Sequence, residues 1–112
     1  MMLTSFGEGV MQISLQQRSD ALYVLLDGKL DEHSAVQARQ YVDGAVQKYP
    51  RIGKVVLDLS KVTFMDSTGI GFLIGRYKYF RKFNLPVYIT NPNFGTDKIL
   101  SLGGIYALIP KL

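Results

Sequence analysis

"KVVLDLSKVTFMDSTGIGFLIGRYK", Lys54 to Lys78, decides the fold of this chain. Lys54 to Leu59 is a near-continuous aliphatic run, the pattern of a central strand covered on both faces. A short loop follows, and Asp66-Ser67-Thr68-Gly69 opens a helix that runs to about Phe83, before Asn84 and Pro86 punctuate it. Three glycines, Gly69, Gly71 and Gly75, fall in its first turns. Each weakens a helix interior by roughly 1 kcal/mol relative to alanine, so together they require a reason. Asp66 or Ser67 can cap the free amides of the first turn, worth about 1 kcal/mol, but a cap does not account for the glycines. On a helical wheel Ile70, Leu73, Ile74, Tyr77 and Phe80 share the core arc. Ser67, Gly71, Gly75, Lys78 and Lys82 share another. The wheel predicts a smooth strip, free of side chains beside Ser67, that suits close approach by another protein. Tight packing of the helix on its own neighbours is the competing explanation.

Outward from this stretch, the order of elements is that of an α/β domain. Met11–Gln16 and Ala21–Leu26 read as strands around an Arg18-Ser19-Asp20 turn. "DGKLDEHS" reads as a loop or bulge, with Ser34 as N-cap of a helix whose apolar positions are Ala35, Ala38, Val42, Ala45, Val46 and Tyr49, closed by Pro50. After the central unit come a short strand at Pro86–Thr90, a third short helix within "NPNFGTDKILSLGG" and a last extended piece, "IYALIP". A hairpin followed by alternating helices and strands predicts one compact domain. It has a mixed sheet of four to five strands, partly parallel, with helices packed mainly on one face. Residues 1–9 read as a flexible leader and residues 10–112 as the domain.

Composition narrows the functional classes. The chain has 112 residues, 47% hydrophobic and 20% charged, the profile of an ordinary globular domain. No apolar run approaches the ~18 residues of a membrane span, and the first residues lack a signal peptide's pattern. Zero cysteines exclude a disulfide framework and fit the cytoplasm. The net charge of +4 is scattered apart from "GRYKYFRK" and is matched by no nucleic-acid motif, so it reads as solubility and an acidic partner.

Enzyme readings fail on spacing. Ser67, His33 and Asp31 are the residue types of a hydrolase triad, but the nucleophile elbow needs a glycine where Met65 stands. "GIGFLIG" lacks dinucleotide-loop spacing and its following acidic residue, and no P-loop lysine follows. Thr68 separates Ser67 from Gly69, unlike the aspartic-protease Asp-Ser-Gly. His33 and the scattered carboxylates offer no metal spacing.

With "LDGKLDEHSA" upstream and "SLGGIYALI" downstream, the central stretch resembles the STAS domain of bacterial anti-sigma-factor antagonists. It is most similar to the sporulation (SpoIIAA-like) type, with the stress-response (RsbV-like) type next. The likeness is colinear over about residues 11–110. It implies a protein–protein switch that is not an enzyme. The unphosphorylated antagonist binds an anti-sigma factor that is also an ATP-dependent serine kinase, and the sigma factor is released to transcription. The kinase then phosphorylates the serine after the motif aspartate, here Ser67, with Thr68 the second candidate, and a serine phosphatase reverses it. The implied partner surface is Asp31, Asp66, Ser67, Thr68, Gly69, Gly71, Gly75 and Lys78. Asp31 matches the family's acidic position, a simple loop role being its alternative. Asp66 has two candidate roles, helix cap and orienter of the Ser67 hydroxyl.

The resemblance implies no metal and no cofactor of the chain's own, ATP being used by the kinase. It implies no direct nucleic-acid or membrane contact, a cytoplasmic location and a monomer when free. A STAS module in another signalling scaffold or transporter-regulatory assembly is the alternative. Four departures stand out: Thr68 for the commoner second serine, Glu32 leaving His33 unpaired with a second histidine, a longer leader, and an end at Leu112 where many relatives continue into a final helix. The last predicts a less covered sheet face.

Overall fold

Alternation of buried and half-exposed residues organises the sheet. In the computed structural model, which describes residues 3–5 and 11–112, β1 (Leu3–Ser5), β2 (Gln12–Arg18) and β3 (Ala21–Leu30) pair antiparallel in succession. β4 (Lys54–Met65) and β5 (Val87–Thr90) continue the sheet in parallel, giving the order β1-β2-β3-β4-β5. Parallel neighbours need crossovers, and these are α1 (Ala35–Lys48) between β3 and β4 and α2 (Ser67–Arg81) between β4 and β5. α3 (Phe94–Leu102) and a 3₁₀ turn at Ile105–Ala107 follow.

The register explains the single core. Leu15, Val24 and Leu57 lie side by side across three strands, with Ile89 beyond them, and all four are buried in the cluster that includes Ala38, Val42, Leu73 and Phe80 of the helices. The opposite face carries Gln16, Tyr23, Val56 and Tyr88 in one row. Val56 is fully buried yet stands outside that cluster, between Tyr23 and Tyr88 on the neighbouring strands. Helices therefore occupy mainly one face, as the order of elements predicts, and the consecutive buried residues Val55, Val56 and Leu57 show the central strand covered on both faces there.

Three differences have local causes. Leu3–Ser5, inside the expected leader, is an edge strand on β2; the rest of the leader lies outside the described residues. "KVTFM" is strand, not loop, and "DGKL" is the bulged end of a strand, the second of the two expected forms: β3 and β4 stay paired to Leu30 and Met65 through two register shifts. Gly28, at φ 127°, allows one of these, since that backbone region is open to glycine and the Met11 backbone lies 3.4 Å from where a Cβ would stand. Those shifts break the period of two that identifies a strand in sequence. Finally, "IYALIP" is a 3₁₀ turn before the chain extends, and Lys111 bridges to Ile89 at the sheet edge.

Candidate functional site

Leu30 and Met65 end adjacent parallel strands in register, and an aspartate follows each. Asp31 and Asp66 thus leave the same carboxyl edge of the sheet, where open α/β sheets place their working surfaces. Asp66 is the N-cap of α2: its Oδ1 accepts from the amides of Thr68 at 2.9 Å and Gly69 at 3.1 Å. That oxygen is spent on the backbone, and among the described residues Asp66 makes no bond to the Ser67 hydroxyl. Of its two candidate roles the cap is the one formed.

Asp31 organises its own loop. Its Oδ1 accepts from the amides of His33 at 2.9 Å and Ser34 at 3.3 Å. Ser34, expected as a side-chain cap of α1, stands at the N-cap position, but its hydroxyl donates to the Lys29 carbonyl at 2.7 Å and accepts from the Asp31 amide. Asp31 is half-buried, and with His33 and Ser34 it lines a hollow of about 400 Å³. The His33 ring is exposed and approaches Glu32 at 3.8 Å, so the triad types do not assemble around Ser67.

Ser67 and Thr68 are exposed at the start of α2, and Lys78 is exposed further along it. The three glycines separate into two kinds. A Cβ at Gly69 would stand 2.5 Å from Met65 Cγ and 2.6 Å from the Leu30 carbonyl oxygen. Gly69 is buried there, so its place in the expected partner surface is corrected: it lets the first turn rest on the end of β3. At Gly71 and Gly75 a Cβ would meet nothing within 4 Å, which answers the packing alternative and leaves the strip open.

Sequence reasoning missed what lies beside that strip. Val36 and Arg39 of α1 face Gly71, Phe72, Gly75 and Arg76 of α2 across a groove of about 400 Å³, with Thr68 at one end. Arg76 is buried and its Nε lies 2.8 Å from Asp43 Oδ1, without the angle of a straight hydrogen bond. Burial pushes the Asp43 carboxyl up and the Arg76 guanidinium down from their ordinary ranges, each partly offset by the other's charge. The guanidinium also lies against the Phe72 and Tyr79 rings. The signal was present: Phe72, Arg76 and Phe80 repeat every fourth residue, which puts Arg76 on a buried stripe. Lys82, placed on the strip by the wheel, is exposed one residue past the end of α2.

Comparison with known proteins shows the family and the fold. The STAS domain family matches residues 12–112. An anti-sigma F factor antagonist of Paenibacillus polymyxa is 30% identical over 100 residues, covering 89% of this chain and 85% of that protein. Unphosphorylated SpoIIAA, an anti-sigma factor antagonist, superposes with a TM-score of 0.72 at 21% identity, over 89% of this chain and 87% of the other. SpoIIAA from Bacillus has also been solved phosphorylated, with a TM-score of 0.65, 21% identity and coverage of 89% and 90%. An anti-sigma factor antagonist from Mycobacterium paratuberculosis gives a TM-score of 0.75 at 20% identity, over 90% and 84%. At such identities the solved structures speak for the fold.

Proposed function

The chain belongs to the STAS domain family, and from that premise we propose that it is an anti-sigma-factor antagonist switched by phosphorylation of Ser67. Its unphosphorylated form binds an anti-sigma factor with serine kinase activity and so releases a sigma factor to transcription in sporulation or stress. Phosphorylation ends the binding, and a serine phosphatase restores it. The chain needs no cofactor of its own; the kinase binds the ATP. It works as a cytoplasmic monomer that exchanges partners, and among the described residues no helix is long and apolar enough to cross a membrane.

The observation that carries this reading is an exposed hydroxyl, Ser67, directly after the Asp66 cap and beside glycines whose Cβ space is open. The N-terminus of α2 tolerates a phosphate, since dipole and amide interactions contribute about 0.3–1 kcal/mol there. The partner does not tolerate it. Phosphate adds about −1.5 to −2 charges, and a partner carboxylate about 5 Å from one of them is repelled by roughly 3 kcal/mol at an effective dielectric of 20. That alone weakens binding by about a hundredfold. No large conformational change is required.

The test mixes the protein with the organism's own anti-sigma factor and ATP, then locates phosphate by mass spectrometry. Ser67→Ala is expected to bind and to stay unmodified, and Ser67→Asp to bind about a hundredfold more weakly. Undiminished phosphate incorporation in Ser67→Ala would move the acceptor to Thr68 or elsewhere.

A further inference from the structure

The groove between α1 and α2 is lined by Arg39 and Arg76 and, among the described residues, by no carboxylate, Asp43 lying beside Arg76. Asp43 lies against Arg76, and among the described residues Arg39 forms no ion pair within 4 Å. The excess charge is therefore positive, and Arg39 is exposed where it is held. Beside it Val36, an aliphatic side chain, is 53% exposed, opposite the open Gly71 and Gly75 positions. An apolar hollow with a cationic rim fits one kind of occupant.

We propose that this groove takes a segment of the anti-sigma partner. An aliphatic side chain of that segment fills the gap between Val36 and the two glycines, and a carboxylate within one helical turn of it pairs with Arg39. The inference rests on the antagonist reading and deepens it: the partner surface runs from Ser67 across the groove onto α1. The glycines then admit a specific side chain instead of merely keeping clear of the partner backbone. Charge complementarity selects the carboxylate, and the half-exposed valine selects its apolar neighbour.

Calorimetric titration of the unphosphorylated protein with the organism's own anti-sigma factor, at low and high salt, tests this. Arg39→Glu and Val36→Asp are each expected to weaken binding about tenfold or more, and Arg39→Glu to flatten the salt dependence. Lys98→Glu, at an exposed position of α3, is expected to leave binding unchanged. Arg39 and Val36 are exposed, so thermal unfolding midpoints close to wild type check that the variants fold. Amide resonances of Val36 and Arg39 in the wild-type protein are expected to shift on binding. If Arg39→Glu binds within about twofold of wild type and those resonances stay still, the groove is not the docking site. The antagonist reading survives that result provided Ser67→Asp still releases the partner. Failure of the wild-type protein to bind overturns both. A self-associated form seen by light scattering and dispersed by Arg39→Glu would assign the groove to a second copy and overturn the proposal.

Discussion

Gly69 and Gly71 stand two residues apart and answer to different demands. Adding a methyl at Gly69 drives it into the Leu30 carbonyl and Met65, and backbone cannot give way as a side-chain tip can. Gly69→Ala is expected to cost about 1–3 kcal/mol in urea unfolding. Gly71→Ala meets open space, so it should stabilise the free protein by up to about 1 kcal/mol through helix propensity. If the partner docks on this strip as proposed, the same methyl should weaken binding to the anti-sigma factor. A variant that gains stability and loses affinity separates a functional glycine from a structural one. At this scale the strip at Gly71 and Gly75 was legible from helical periodicity alone. The role of Gly69 was not, because Leu30 lies far away in sequence and reaches it only through the pairing of β3 with β4.

Between elements, Asp43 of α1 pairs with Arg76 of α2, and Arg76 also lines the groove. Taking one partner away leaves a buried charge uncompensated, which costs more than the intact pair contributes. Asp43→Asn is expected to destabilise by about 3 kcal/mol, and the double variant Asp43→Leu with Arg76→Met to recover most of that loss, both read from urea midpoints. Helix existence and the Asp66 cap were legible because periodicity and capping are local. Strand length was not. In β4 the buried positions after Leu59 are Val62 and Met65, three apart, so the pattern lapses just where β3 and β4 carry their register shifts. The Ser34 cap failed for a similar reason, since its oxygen accepts from the Asp31 amide while its hydrogen goes to the Lys29 carbonyl.

Across the whole molecule, the C-terminal segment closes the sheet edge beside β5. The Ile89 amide donates to the Pro110 carbonyl at 3.0 Å and the Leu112 amide donates to the Ile89 carbonyl at 2.8 Å. Asp97 of α3 holds this segment, accepting from the Tyr106 hydroxyl at 2.6 Å and the Lys111 ammonium at 2.9 Å. The Tyr106 bond, then the Lys111 bond, lowers the Asp97 pKa below its ordinary value. A carboxyl depressed in the folded state stabilises it above the unfolded pKa of about 4, and that contribution is lost as pH falls through the folded value. Tyr106→Phe should therefore lower the urea midpoint at neutral pH, with the gap to wild type narrowing below pH about 4. The order of elements and the mixed sheet were legible at this scale; the 3₁₀ turn was not, because "IYALIP" carries no period longer than one turn. One contact also has a thermodynamic consequence. With the first turn of α2 seated on the end of β3 through Gly69, the Ser67 hydroxyl, the proposed phosphate acceptor, rides on a part of the fold that is already ordered. The heat-capacity change on partner binding should then match the apolar area buried at the interface, with no added contribution from a segment that folds as it binds.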